Sequence, residues 1–214
     1  MNIILIAPPA GGKGTQSEFI CSKYNMVHIS TGDLLRKEVA SGNTELKKIM
    51  DAGMLVDDDI ILDLIKKNMT SGNYLLDGFP RNEKQACELD NMLDSMGKKI
   101  DYVFLLDVSK EVSSKRIVGR RTCPKCNEVY NIYFEDMMPK VDGRCDKCQT
   151  ELVQRCDDNY ETYESRYNMY LEKTKPLIDY YEAKGVLYTV DANKKPLEIF
   201  KQIEDIVGVI KWSP

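Results

Sequence analysis

The chain has 214 residues, a mass of 24.5 kDa and a formal net charge of -4, with 43% hydrophobic and 30% charged residues. That suffices for one sizeable core with small insertions, and the acidic balance gives no reason to expect nucleic acid or an anionic membrane as partner. With no run of eighteen apolar residues and no basic leader before a cleavage site, a cytoplasmic protein is expected; a monomer is the expected state.

The first element is a short apolar strand over 2–6 that stops at PPAGGKGT, after which TQSEFICSKY carries apolar side chains at helical spacing. A strand, a turn of small residues and a helix form a setting for polyphosphate. The backbone amides can curl inward, the helix adds its positive end, Lys13 supplies a mobile charge and the Thr15 hydroxyl can ligate magnesium. The strict pattern G-x-x-x-x-G-K-[ST] is not met, because Ala7 stands where its first glycine belongs and Gly14 separates Lys13 from Thr15. A turn that merely reverses the chain is the alternative.

Strands are expected over 27–29, 74–76, 102–107 and 186–190, alternating with helices over 82–96, 110–119, 159–184 and 196–209 and with a helical stretch from 30 to about 69. Five apolar strands separated by helices imply an α/β fold with a parallel sheet covered on both faces, whose ligands gather at the carboxyl ends of the strands. The lone histidine, His28, lies in VHIS and is expected to pack in the core. Ser30 or Thr31 would cap the helical stretch, which reads as a small subdomain over 30–59. Asp77 ends the strand YLLD and precedes Gly-Phe-Pro-Arg81; an acid there can hold magnesium directly or through water, with Arg81 pointing into the same cleft. An ordinary Asp-Gly turn is the alternative, but it leaves Phe-Pro-Arg unexplained.

Residues 120–156 interrupt two clear helices and are too few to fold on a hydrophobic core alone. The pairs Cys123-x-x-Cys126 and Cys145-x-x-Cys148 are separated by eighteen residues, the spacing of a four-thiolate zinc ribbon. Four thiolates leave no position for water, so the metal would be structural; two reduced redox pairs are the alternative. Arg116, Arg120 and Arg121 flank the insert on its way out, and Arg155 and Arg166 on its return. Their planar forks suit phosphate, although any one of them could be a solvated charge paired with Glu161 or Glu164.

No Ser-His or Cys-His pair looks arranged to activate a hydroxyl. Phosphoryl transfer to an already anionic phosphate oxygen needs neither, only alignment, charge neutralisation and exclusion of water, for which a flap tipped with arginines is suited.

PPAGGKGTQ, STGDLLR, LLDGFPRNEKQ, RIVGRR, the two C-x-x-C pairs and QRCDDNYETYESR occur in that order over essentially the whole chain, which resembles the adenylate kinase family in its long-lid bacterial form with a zinc-bearing lid. The resemblance implies a P-loop core over 1–29, 60–119 and 157–214, an AMP-binding subdomain over 30–59, a lid over 120–156, and the reaction MgATP + AMP = 2 ADP. It implies that Ala10, Gly11, Gly12, Lys13, Gly14 and Thr15 wrap the ATP phosphates, with Val129, Tyr130 and the backbone of Lys195 at the adenine of ATP. Thr31, Arg36, Met54, Leu55, Val56, Gly78, Phe79, Pro80, Arg81 and Gln85 would bind AMP, Gln85 reading the adenine edge. Arg116, Arg120, Arg155 and Arg166 would surround the transferred group with Lys13 and Arg81, and Arg155 and Arg166 would also touch AMP. The chain departs from the family's usual G-x-P-G-x-G-K-G-T at Ala7, Ala10 and Gly11. Asn127, Asn131 and Gln149 replace common Gly, His and Gly, Asp57 replaces a proline, and the loop carrying Lys195 has one extra residue. A kinase of another nucleoside monophosphate and a zinc-ribbon nucleic-acid-binding NTPase are the competing readings.

Overall fold

The structure is a computed structural model that describes residues 1–52, 54, 56–69 and 72–211. Its centre is a parallel sheet of five strands in the order β2-β3-β1-β4-β7, comprising β1 (Ile3–Ile6), β2 (Val27–Ser30), β3 (Tyr74–Asp77), β4 (Tyr102–Asp107) and β7 (Leu187–Asp191). β1 is the middle strand because every one of its side chains is apolar; none exceeds 2% exposure. Side-chain alternation sends Ile4 and Ile6 with Leu76 and Val103 to one face, and Ile3 and Leu5 with Leu75 and Phe104 to the other, so each face has its own core.

Asn2 ties three strands at their starts. Its side chain, 3% exposed, accepts from the Tyr74 amide at 3.1 Å and donates to the Lys99 carbonyl at 2.7 Å, while its carbonyl accepts from the amides of Asp101 and Tyr102. A buried polar residue is held here because each of its groups meets a partner, the backbone amide donating to Asp101 Oδ2 at 2.6 Å.

The covering helices are α1 (Lys13–Tyr24), α5 (Glu83–Ser95), α6 (Lys110–Val118), α7 (Tyr160–Met169), α8 (Pro176–Ala183) and α9 (Pro196–Lys211). α1 packs on α9, with the Phe19 and Phe200 rings 5.4 Å apart. Between β2 and β3 the stretch expected to be helical is three helices, α2 (Thr31–Ala40), α3 (Thr44–Asp51) and α4 (Asp58–Asn68). Ser30, Asn43 and Asp57 cap them in turn, each accepting from the amide two or three residues on. The helix expected over 159–184 is broken by a π turn at Tyr170–Thr174, where the Lys175 amide bonds the Tyr170 carbonyl at 2.8 Å. Pro176 begins the next helix, and since its ring cannot donate and crowds the preceding turn, the wider turn accommodates it.

The insert between α6 and α7 carries an antiparallel pair, β5 (Arg120–Thr122) and β6 (Val129–Asn131), extended by a bridge from Thr122 to Val153. Its own core is small: Cys123, Tyr130, Cys145 and Leu152. Gly119 admits this hairpin; a Cβ there would lie 2.4 Å from Asn131 Oδ1 and 2.5 Å from the Tyr133 ring.

His28 corrects an expectation. It does not pack in the core, because β2 is the sheet's edge strand; the imidazole is exposed and its Nε2 stands 3.8 Å from Asp77 Oδ2 at the border of the cleft. Among the described residues no helix is long and apolar enough to cross a membrane.

Replacing Asn2 with leucine would orphan the Tyr74 amide and the Lys99 carbonyl at the root of the sheet. The expected loss is about 2 kcal/mol of unfolding free energy in urea titration. An unchanged midpoint would contradict the role given to Asn2.

Candidate active site

The carboxyl ends of β1, β2 and β3, the helices α2 and α4 and the insert enclose a cleft of about 730 Å³. At its floor the β1–α1 loop turns on a Gly11 amide bonded to the Pro8 carbonyl at 3.0 Å, with Ala10 at φ 56° and Gly12 at φ 90°. Gly12 caps α1 without a side-chain acceptor, so the first amides of that helix remain available to an anion. Ala7 and Gly11 fit each other. A Cβ on Gly11 would fall 2.6 Å from the Ala7 methyl, so the alanine at 7 is tolerated because the glycine is at 11.

Lys13 lies in this floor with Arg81, Arg120 and Arg166 around it. Its ammonium is pushed below the ordinary lysine value first by burial and then by the three guanidinium groups, with Asp77 alone pulling it back. Arg81 is lowered in the same way, by burial and then Arg166, and is again raised by Asp77. Its Nε donates to the Gly78 carbonyl at 2.8 Å, which also accepts from Thr31 Oγ1 at 3.0 Å. Gly78 has φ 80°, and a Cβ there would meet Thr31 Oγ1 at 2.7 Å; the residue is glycine on both counts.

The arginines of the insert's necks are held on carboxylates. Arg120 forks onto Asp158, which is only 1% exposed, through a 2.9 Å bond from Nε and a second from Nη2. Arg166 pairs with Asp157 at 2.7 Å and donates to the Met50 carbonyl at the end of α3. Burial raises the Asp157 carboxyl, but Arg166 and then Arg120 bring it below its usual range. Arg155 is lowered by burial and by its neighbours Arg120 and Arg36. Arg116 has a buried Nη1 without a partner and stands beside Gly12, which makes it a charge awaiting an anion. Burial lowers its value as well. Arg121 is not in the cleft wall and bonds the Arg120 and Val118 carbonyls.

Ala10, Gly11, Gly12, Gly14 and Thr15 line the cleft, as do Thr31, Arg36, Met54, Val56, Asp77, Gly78, Pro80, Gln85, Val129 and Tyr130. Arg36 is held at 2.5 Å by Asp33. Phe79 is fully buried in the core behind the wall. Lys195 also lies outside the wall; its neighbour Pro196 is in it, with its carbonyl taking Gln16 Nε2 at 2.9 Å. Leu55 lies outside the described residues. Asp77 and Thr15 offer hard oxygens beside the phosphate loop, a donor set that fits magnesium carried on a polyphosphate. The counter-ions Asp157 and Asp158 were not singled out by sequence reasoning, although the acidic pair after Arg155 in QRCDDNYE was the signal available.

In the insert the four thiols form one cluster, not two pairs. Cys123 Sγ is 3.4 Å from Cys148 and Cys126 Sγ is 3.5 Å from Cys145, with all four sulfurs within 4.8 Å. Four sulfurs about 2.3 Å from a tetrahedral zinc would be about 3.8 Å apart, so the donor set fits that ion. Each knuckle is built alike: the Cys123 and Cys145 amides bond the Glu128 and Thr150 carbonyls, and the amides of Asn127 and Gln149 return to the Cys123 and Cys145 carbonyls.

The sequence profile of the family described as Adenylate kinase matches residues 5–186. The chain is 46% identical over 215 residues to the adenylate kinase of Nitrosococcus oceani, covering 97% of this chain and 98% of that one. It is 46% identical over 219 residues to that of Archaeoglobus fulgidus, covering 99% and 100%. With that of Clostridium tetani it shares 42% over 217 residues, covering 98% and 100%.

Gly11→Ala should overpack the loop against Ala7 and weaken binding of a nucleoside triphosphate about tenfold by calorimetry, with Ala7→Gly in the same chain restoring it. Equal affinity in the single variant would show that the loop relaxes freely. Chelating the metal of the zinc-loaded protein should remove on the order of 10 kcal/mol from the insert's folding and lower its melting temperature, while the sheet melts as before. Identical melting of the two forms would refute a structural zinc.

Proposed function

Because the chain belongs to the adenylate kinase family, we propose that it transfers the terminal phosphoryl group of ATP to AMP at this cleft, giving two ADP, and that the reaction runs in both directions. The observation that carries this reading is the excess of half-buried cations: Lys13, Arg81, Arg116, Arg120, Arg155 and Arg166 converge where Asp77, Asp136, Asp157 and Asp158 offset them in part. Two polyanions placed end to end would neutralise that charge.

In this reading the β1–α1 loop and Lys13 hold the β- and γ-phosphates, and Arg81 and Arg36 hold the AMP phosphate from the opposite side. An oxygen of the AMP phosphate bonds to the γ-phosphorus as the bond from that phosphorus to the bridging oxygen of ATP breaks. The acceptor is already an anion, so no base has to remove a proton. Lys13 and the neck arginines take up the charge that spreads over the transferred oxygens, and their burial strengthens each interaction. Asp77, directly or through water, and the Thr15 hydroxyl would hold the magnesium carried by the triphosphate, which would supply further charge neutralisation there. Arg120 and Arg166 move from Asp158 and Asp157 to phosphate, so the carboxylates keep them in place until substrate arrives. We further propose a core of 1–29, 60–119 and 157–214, an AMP-binding arm of 30–59 and a lid of 120–156 that folds down and excludes water. The lid is held by zinc on Cys123, Cys126, Cys145 and Cys148. The protein is proposed to act as a cytoplasmic monomer.

Turnover with MgATP and each of AMP, GMP, UMP and CMP should show AMP preferred. Preference for another monophosphate, or no diphosphate formed, would overturn the assignment. Lys13→Ala should lower turnover by about a hundredfold or more with the melting temperature unchanged or raised, since it removes a desolvated charge surrounded by like charges. A large fall in melting temperature would place Lys13 in the fold instead of the chemistry.

A further inference from the structure

Gln85 sits in the first turn of α5, is 3% exposed, and lines the cleft. Its side-chain amide is held from both ends. Oε1 accepts from the Arg81 backbone amide at 2.7 Å, and Nε2 donates to Asp58 Oδ1 at 2.6 Å. Asp58, at the start of α4, lies outside the cleft wall and also takes Asn82 Nδ2 on both oxygens, at 3.0 and 3.1 Å. Asn82 in turn caps α5 by accepting from the Gln85 amide at 2.8 Å.

The two partners of the Gln85 side chain are chemically unambiguous. A backbone N–H can only donate, and an ionised carboxylate can only accept. Rotating the amide by half a turn would set its oxygen against the carboxylate and its NH₂ against the N–H, losing two buried hydrogen bonds and adding two repulsions. After these bonds are made, one Nε2 hydrogen and one Oε1 lone pair remain unused, in a fixed order along the cleft wall.

We propose that Asp58 is a specificity-determining residue that never touches substrate: it locks the Gln85 amide in the orientation that accepts a 6-aminopurine and refuses a 6-oxopurine. The inference rests on the functional reading above, in which Gln85 faces the base of the monophosphate. In one base pose, adenine presents a donor at N6 and an acceptor at N1, matched by Oε1 and by the free Nε2 hydrogen. Hypoxanthine and guanine present the reverse, an acceptor at O6 and a donor at N1, and could be read only by a flipped amide. A 4-aminopyrimidine shares the order of adenine, so cytosine must be refused by size and not by the lock. The lock spans two elements, α4 from the proposed AMP arm side and α5 from the core.

The test compares AMP with IMP, which differ only along that edge, at saturating MgATP. Wild type should favour AMP by at least about a hundredfold in kcat/KM, because a site built to hydrogen-bond one edge leaves its groups unpaired against the other. Asp58→Asn keeps the shape and an acceptor for Asn82, yet can turn an NH₂ toward Gln85, so that only the Arg81 amide still opposes the flipped orientation and its cost is roughly halved. It should narrow the AMP-to-IMP ratio at least about tenfold, with KM for AMP rising, KM for IMP falling, and KM for ATP unchanged. Gln85→Met serves as the reference. If it collapses the ratio while Asp58→Asn leaves the ratio intact, the lock is refuted and the functional reading stands. If Gln85→Met leaves the ratio intact, the placement of the base at Gln85 fails, and the lock with it. A second measurement does not depend on Asp58→Asn folding. In ¹⁵N-labelled wild type, one of the two Gln85 side-chain amide protons, the one donated to Asp58, should exchange with solvent far more slowly than those of an exposed glutamine, the signal being identified by its loss in Gln85→Met; both protons exchanging as fast as those of an exposed glutamine would refute the lock.

Discussion

Repulsion among half-buried cations is the constraint on which the rest of the structure depends. Burial and mutual repulsion depress Lys13 and Arg81 together, and burial with its neighbouring guanidinium groups depresses Arg155. Charges gathered in this way cost folding free energy unless partners are built in. The fold supplies the partners unevenly. Arg120 and Arg166 have near-ideal carboxylates on Asp158 and Asp157, whereas the buried Nη1 of Arg116 has none. The sheet, with its two apolar faces, provides the stability against which this unfavourable cluster can be held, and the unpaired part of the cluster is what an incoming phosphate would satisfy. Stability and affinity are therefore opposed at the same residues, as expected where a site is preorganised for charge that arrives with the substrate.

The same opposition explains why the cations come from different elements. The β1–α1 loop is fixed by the central strand, and Arg81 by the Gly78 carbonyl at the end of β3, so these two are set by the sheet. Arg120 and Arg155 lie at the necks of the insert, Arg166 on the helix that follows, and Arg36 on α2. Cations on separately hinged pieces can stay apart until anions join them. The bonds from Arg166 to the Met50 carbonyl and from Cys156 to Asp51 show that the end of α3 reaches the insert's return segment. The two pieces thus already touch through weak polar contacts, which cost little to separate.

Much of this was legible in the sequence, for identifiable reasons. Strand and helix alternation, the phosphate loop and the four cysteines follow from local pattern and fixed spacing, and they stand where the pattern put them. His28 was misread because an apolar run in sequence does not reveal that β2 lies at the sheet's edge, a property of strand order alone. Asp157 and Asp158 carry no legible role in the sequence because pairing with Arg166 and Arg120 depends on how two necks converge. Asp58 was invisible for the same reason: its reach to Gln85 spans two helices. The π turn before Pro176 was missed because the apolar period runs through it unbroken. What sequence spacing could not supply, in each case, was contact between segments.

Backbone strain shows how the two anion-holding regions are related. Of the non-glycine residues with positive φ, Ala10 is in the phosphate loop, and Asn127 and Gln149 follow the two C-x-x-C pairs at φ 61° and 59°. Left-handed backbone costs an alanine on the order of 1 kcal/mol, and asparagine less. It also turns successive N–H groups toward one side, forming a concavity for negative charge. In the β1–α1 loop the charge proposed is phosphate; in the knuckles it would be the thiolates of a bound zinc. Positive φ at non-glycine residues is thus found at the two places where donors converge on a site for negative charge. Asn25 differs: it ends α1 and returns its amide to the Cys21 carbonyl, so its positive φ serves the helix end alone.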